Sequence, residues 1–138
     1  MNRFRSLQQR IKEIINNTEK KDILVNKADK LLSRAKSLYF DMKCSSEVFE
    51  TVDSYCSQIL NLLVNVTALL NSTYIKKGVY NIENEISDYS ILPNHYLNHI
   101  NSVVSIDNIT SKQELIKKMI LNTEELWQKK ENRTEEKN

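Results

Sequence analysis

The chain has 138 residues, 28% of them charged, and a formal net charge of +2. A single glycine and a single proline exclude a fold built on many tight sheet turns, and they exclude glycine-rich phosphate loops. Leu, Lys, Glu and Gln favour helices instead. We therefore predict an all-α fold, with one helical-bundle domain over residues 1–127 and a polar, disordered tail over residues 128–138.

The N-terminal third of the chain is basic. Residues 1–43 contain eleven Lys or Arg and five Asp or Glu. A basic face over residues 3–36 is one way to bind nucleic acid, although a solvated helix face rich in Lys is the commoner reason for such a run. The first ten residues lack the apolar core of a signal peptide, so we expect a cytoplasmic protein.

Two helices are predicted in this third. The first carries apolar residues at Phe4, Leu7, Ile11 and Ile14. The second carries a regular stripe, in steps of four and three, at Leu24, Ala28, Leu31, Ala35, Leu38 and Met42. A narrow stripe predicts one packed side and one solvated side. It indicates a seam with another helix of the chain or, alternatively, the contact surface of a homo-oligomer.

The organising element is the stretch from Ser54 to Ile75, which contains no charged residue. One helical face in and around it carries Phe49, Val52, Cys56, Ile59, Leu63, Val66 and Leu70. A helix apolar over so wide an arc is normally surrounded by other helices, and its many amides and hydroxyls argue against a membrane span. We predict a central helix over about residues 46–73, capped by Ser45 or Ser46, in a bundle of five or six helices.

Shorter helical patterns follow the central helix. Gly78 is expected to form a left-handed turn at its end. The next apolar set is Val79, Ile82, Ile86 and Tyr89. Pro93 suits the first turn of a further helix, whose predicted inner residues are Leu97, Ile100 and Val104. Ser111 and Glu114 form a capping-box pattern that opens the last helix, with Leu115, Ile116, Met119, Ile120, Leu126 and Trp127 inward.

No catalytic motif stands out in the sequence. His95 and His99 are four residues apart, so a helix would place both on one face. In zinc metalloproteases with this spacing a Glu follows the first His, whereas Tyr96 follows here. Cys44 and Cys56 match no zinc spacing. We therefore predict no catalytic residue, no metal and no cofactor, and the chain alone is not expected to be an enzyme.

A stripe of amides on the central helix is the best candidate site. Gln58, Asn61 and Asn65 recur in steps of three and four. Such groups must hydrogen-bond to another helix, to water or to a ligand. Interhelical bonds or an uncharged solvent strip are the structural explanations. The functional explanation is a polar surface that meets a partner domain or a small molecule.

The second half of the chain resembles a known family. The relevant residues are the run from Leu69 to Gly78, then Ile86, then Ile91-Leu92-Pro93, and a helix that opens near Ser111. This arrangement is similar to the all-helical C-terminal domain of the kanamycin nucleotidyltransferase group. Within it, Asn71 and Tyr74 match the element that closes the long helix.

The resemblance implies a non-catalytic, substrate-binding accessory domain or subunit that packs beside a nucleotidyltransferase catalytic domain. It carries Asn71 and Tyr74 as positions of the contact surface, where we expect them to fix the turn at Gly78 more than to touch a ligand. To these we add Gln58, Asn61 and Asn65 from the amide stripe. Some similar bundles are ribonucleases with an Arg a few residues before a His. Here the nearest Arg before His95 is Arg34, so that activity is not expected.

Overall fold

The computed structural model describes residues 25–45, 48–71, 86 and 89–136, with side chains as far as residue 130. Within these ranges the chain is helical and contains no strand, which confirms the all-α class for this part of the protein. Four helices are described: α1 covers 25–44, α2 is Phe49–Leu70, α3 is Tyr96–Ser105 and α4 is Ile109–Glu136. The predicted first helix, the Gly78 turn and Tyr74 lie outside the described residues.

Side-chain contacts at the helix ends give the relative directions of the long helices. Lys112 of α4 forms an ion pair with Asp53 of α2, and Lys130 of α4 donates a hydrogen bond to the backbone oxygen of Leu70. The start of α4 therefore lies by the start of α2, and their ends also meet. The two helices are parallel.

The first and third helices run against this parallel pair. Trp127 Nε1 donates to Asp29 Oδ1 of α1 over 3.1 Å, so the start of α1 lies near the end of α4. The hydroxyls of Thr67 and Tyr96 are hydrogen-bonded at 3.1 Å, which places the start of α3 near the end of α2. The four described helices consequently alternate in direction along the chain, as in an up-and-down bundle.

The apolar face predicted for α2 is buried. Val52, Cys56, Ile59, Leu63, Val66 and Leu70 all belong to the core. In the second half of the helix burial extends beyond this face, because Val64, Thr67, Ala68 and Leu69 are buried as well. Complete burial of one such aliphatic side chain contributes about 1.5–3 kcal/mol, so this helix supplies a large share of the described core.

The stripe on α1 also packs inward. Ala28, Ala35 and Met42 are buried, as predicted, while Leu31 and Leu38 are half-buried beside the core. Leu32, which the stripe did not include, is buried too. The small alanines let α1 approach its neighbours closely. Leu24 lies outside the described residues, and Leu31 and Leu38 keep part of their surface exposed, so the homo-oligomer alternative stays a prediction.

Two predicted helix caps are wrong. The residue before α2 is Val48, and no side chain caps that helix; Ser45 Oγ instead donates to the Met42 oxygen at the end of α1 over 2.8 Å. At α4 the cap is Asn108, whose Oδ1 accepts from the Ser111 backbone N–H at 2.9 Å. The helix therefore begins before the predicted capping box. An Asn accepting from the third helical N–H is a standard N-cap arrangement.

The start of α3 differs from the prediction. Pro93 is buried in the turn before the helix rather than in its first turn, and Tyr96 N–H donates to its oxygen at 3.2 Å. The inward positions are Tyr96, Ile100 and Val103. Val104, which was predicted to face inward, is 69% exposed. Tyr96 determines which side of α3 faces inward, because its ring inserts beside α2.

The last helix buries the side that was predicted to face inward, and it extends further than predicted. Ile116, Met119, Ile120 and Trp127 are buried. The predicted disordered tail begins at residue 128, whereas the structure continues α4 as a helix to Glu136. No helix within the described ranges is long and apolar enough to cross a membrane.

Candidate functional site

The amide stripe lies on the outer side of α2. Gln58 and Asn61 are exposed and Asn65 is half-buried. Gln58 Nε2 lies 3.4 Å from both the backbone oxygen and the Oγ of Ser54, and Asn65 Nδ2 donates to the Asn61 oxygen at 2.7 Å. These bonds stay within one helix. Among the residues that the structure describes, these amides form no bond to another helix, and they make an uncharged polar strip at the surface.

An open groove adjoins one end of this strip. It has a volume of about 560 Å³ and lies between the second half of α1 and the first half of α2. Its described lining includes Leu38, Asp41, Glu50, Ser54, Tyr55 and Gln58. Two carboxylates and an amide thus border an aromatic ring and an aliphatic side chain, with no basic residue in that described lining. The groove can accept hydrogen-bond donors and positive charge.

Asn71 acts on the fold rather than on the groove. Its Nδ2 donates to the Ile91 oxygen at 2.8 Å, and its Oδ1 accepts from the Ile91 N–H at 2.9 Å. Both backbone groups of Ile91 are thereby satisfied, which fixes the segment before α3 against the end of α2. Asn71 was expected to fix the turn after the central helix more than to touch a ligand, and it is bonded to the segment before α3.

Three buried polar residues of the described chain, Lys112, Thr67 and Thr123, were not identified from the sequence. The Lys112 side chain is 1% exposed, and its Nζ lies 2.6 Å from Asp53 Oδ1 and 5.3 Å from the centroid of the Phe49 ring. Thr67 is fully buried and bonds to Tyr96. Burial raises the pKa of the Tyr96 hydroxyl well above its usual value, although the bond to Thr67 opposes this change. Thr67 interrupts an apolar run, and that is the one signal the sequence offered.

The two cysteines have opposite environments. Cys44 is exposed and Cys56 is buried, and both are free thiols. Cys56 Sγ lies 3.8 Å from Met42 Sδ. Burial raises the pKa of the Cys56 thiol to about 11, because the neighbouring positive charge of Lys112 offsets only part of the loss of hydration. Cys56 is therefore a neutral core residue at pH 7 and not an activated nucleophile.

The two histidines lie together at the start of α3. Their ring centroids are 6.1 Å apart and the ring planes are tilted by 56°. His95 precedes the helix with φ 56°, in the left-handed region, and His99 lies within it. Burial, followed by the positive charges of Lys118 and His95, lowers the pKa of His99. In the described parts of the chain no group of three or more His, Cys, Asp or Glu residues could hold a metal ion.

Part of the basic N-terminal third can be located. Lys27, Lys30 and Arg34 are exposed and recur on one side of α1. Lys36 pairs with Glu124 of α4, so it ties two helices together. The other basic residues before Val25 fall outside the described ranges.

Comparisons with known proteins do not identify the chain. No protein family, no curated protein and no solved structure matches it. The resemblance to the helical domain of kanamycin nucleotidyltransferases thus has no support beyond the residues that suggested it.

Proposed function

We propose that this chain is a non-catalytic accessory domain or subunit, with the outer side of α2 as its contact surface for a nucleotidyltransferase catalytic domain or that domain's substrate. The partner would supply the chemistry. The observation that carries the proposal is the exposed amide strip, formed by Gln58, Asn61 and Asn65, beside the groove between α1 and α2. Amides offer donors and acceptors without net charge, which suits a polar domain interface or a hydroxyl-bearing molecule.

The proposal includes the architecture expected from the sequence. In it, residues outside the described ranges complete a single bundle of five or six helices around α2. The heavy burial of the second half of α2 supports this arrangement, since so many apolar side chains need neighbours on several sides. A cytoplasmic location is part of the same proposal.

The experiment compares binding with and without the strip. A partner is first sought among small nucleotidyltransferases encoded next to this chain, and affinity is measured by calorimetry. The double variant Asn61→Ala/Asn65→Ala should weaken binding at least about tenfold, because clustered contacts near the centre of an interface dominate its energy. The matched control removes two exposed amides from α3, in Asn98→Ala/Asn101→Ala. Equal affinity of all three proteins for a genuine partner would refute the assignment.

A second candidate is nucleic-acid binding through α1. The specific observation in its favour is the exposed row of Lys27, Lys30 and Arg34 on one side of the helix. Phosphate contacts would make the affinity fall steeply with salt. The charge-reversed variant Lys30→Glu/Arg34→Glu should then lose binding to RNA or DNA oligonucleotides in fluorescence anisotropy. Weak binding with no salt dependence would exclude this candidate.

A further inference from the structure

The two histidines of the chain are close enough to share an ion. Their ring centroids are 6.1 Å apart. Two imidazoles that bind one zinc ion at about 2 Å per nitrogen have centroids roughly 5 to 6 Å apart. A small rotation of either side chain would bring both rings to one ion. We propose that His95 and His99 form a surface site for a divalent transition metal ion such as Zn²⁺ or Ni²⁺.

The backbone at His95 supports this site independently. His95 is the one non-glycine residue with positive φ in the described parts of the chain. Side chains with a Cβ are strained in this conformation, and such strain is often retained where a side chain needs a particular direction. The His99 N–H donates to the His95 backbone oxygen at 2.9 Å, so the helical spacing that puts both residues on one side is kept although His95 precedes the helix.

The surroundings define what kind of site this is. His95 is exposed and His99 is half-buried, so an ion reaches the rings from solvent. With two described protein ligands, the remaining coordination positions go to water or to a ligand from a binding partner. Two imidazoles are one protein ligand fewer than open zinc sites have, which predicts modest affinity.

The neighbouring charge makes the proposal sharper. The ammonium of Lys118 on α4 lies within electrostatic range of His99, and it repels a divalent cation. Removing the charge of Lys118 should therefore strengthen metal binding, an outcome that a merely structural histidine pair does not predict.

The test is calorimetric titration of the full chain with NiCl₂ and with ZnCl₂ at neutral pH. We expect one ion per chain. His99→Gln should weaken the affinity at least about tenfold, because one of two protein ligands is lost. Lys118→Gln should raise it roughly threefold through reduced repulsion. Cys44→Ser removes the exposed thiol and should change nothing. Absence of binding, or a Cys44-dependent signal, would overturn the proposal.

A second variant separates metal binding from folding. His95→Gly suits a positive φ better than His does, so the apo protein should melt at the same or a higher temperature. Added NiCl₂ should raise the melting temperature of the original chain and leave that of His95→Gly unchanged. If His95→Gly retains the metal-induced shift, the ion binds elsewhere and the site is rejected.

Discussion

The two halves of α2 have different roles although they belong to one helix. Seven of the eight residues from Leu63 to Leu70 are buried, whereas the first half buries only one side and leaves Ser54, Gln58 and Asn61 exposed. The difference follows from the neighbours. The second half is covered by the start of α3, the segment around Ile91 and the end of α4. The first half borders the open groove with α1. A long apolar helix thus serves as core at one end and as surface at the other.

The largest expected effect comes from placing a charge in the second half. Leu63→Asp buries a carboxylate without a partner and should cost at least about 4 kcal/mol, enough to unfold a marginally stable domain. Circular dichroism should show loss of cooperative melting. Asn61→Asp, two residues away at the surface, is the matched control and should change stability by no more than about 0.5 kcal/mol. Similar melting of both variants would contradict the contrast between the halves.

A smaller loss of stability is expected when the hydrogen bond between the hydroxyls of Thr67 and Tyr96 is removed. Thr67→Val keeps the shape of the side chain but deprives the buried Tyr96 hydroxyl of its partner, which should cost about 1–3 kcal/mol. Urea denaturation measures the loss. Thr67→Ser retains the hydroxyl and should preserve the bond, losing only the methyl contacts. A Thr67→Val protein as stable as the original would show that this bond adds nothing to the second half.

The loss of stability at alkaline pH tests whether Cys56, on the inner side of the first half of α2, is buried. Burial raises the thiol pKa in the folded protein from 9.0 to about 11. The folded state therefore holds this proton more tightly, and the resulting stability is complete below pH 9 and is lost as pH rises towards 11. Cys56→Ala should show a shallower loss across this range in denaturant titrations. Cys44→Ala, at an exposed thiol, should follow the original chain; identical curves for Cys56→Ala would mean that water reaches this face.

The smallest effect is expected on the outer side of α2. Asn65→Ala removes a side-chain bond that stays within α2, Asn61→Ala leaves the backbone oxygen that accepts this bond in place, and Ala is the better helix former. Each variant should change the free energy of unfolding by less than about 0.5 kcal/mol. Bonds to another helix, one of the alternatives drawn from the sequence, would instead cost about 1 kcal/mol when lost. A loss of that size in urea titrations would indicate that the strip is covered in the native protein.

Hydrophobic spacing was sufficient to predict the long helices and most of their inner sides, because periodic burial is a local property. Ala28, Met42 and Ile59 illustrate this. The predictions that failed concern side chains whose burial depends on tertiary neighbours. Val103 and Val104 both fit a helical stripe, and the choice between them follows from the position of Tyr96 against α2.

Polar residues were harder still to place. Lys112 lies inside the predicted capping-box segment, whose pattern carries no signal of burial. Its burial depends on Asp53 and Phe49, which are far away in sequence. The candidate site was predicted only in part for the same reason. Spacing placed the three amides of the strip on one side of α2, but it could not show the groove that they adjoin or that Asn71 bonds to Ile91.

The parallel arrangement of α2 and α4 has a consequence for the order of folding. The pairs α1–α2 and α3–α4 join neighbours in sequence, so they close short loops and can form early. The α2–α4 seam joins residues about sixty positions apart, as between Leu70 and Lys130, and its formation carries the larger loop-closure cost. Pulsed hydrogen exchange should therefore protect the two hairpins first. Lys112 and Lys130, which join α4 to the two ends of α2, would then form their contacts late and fix how the two preformed helix pairs align.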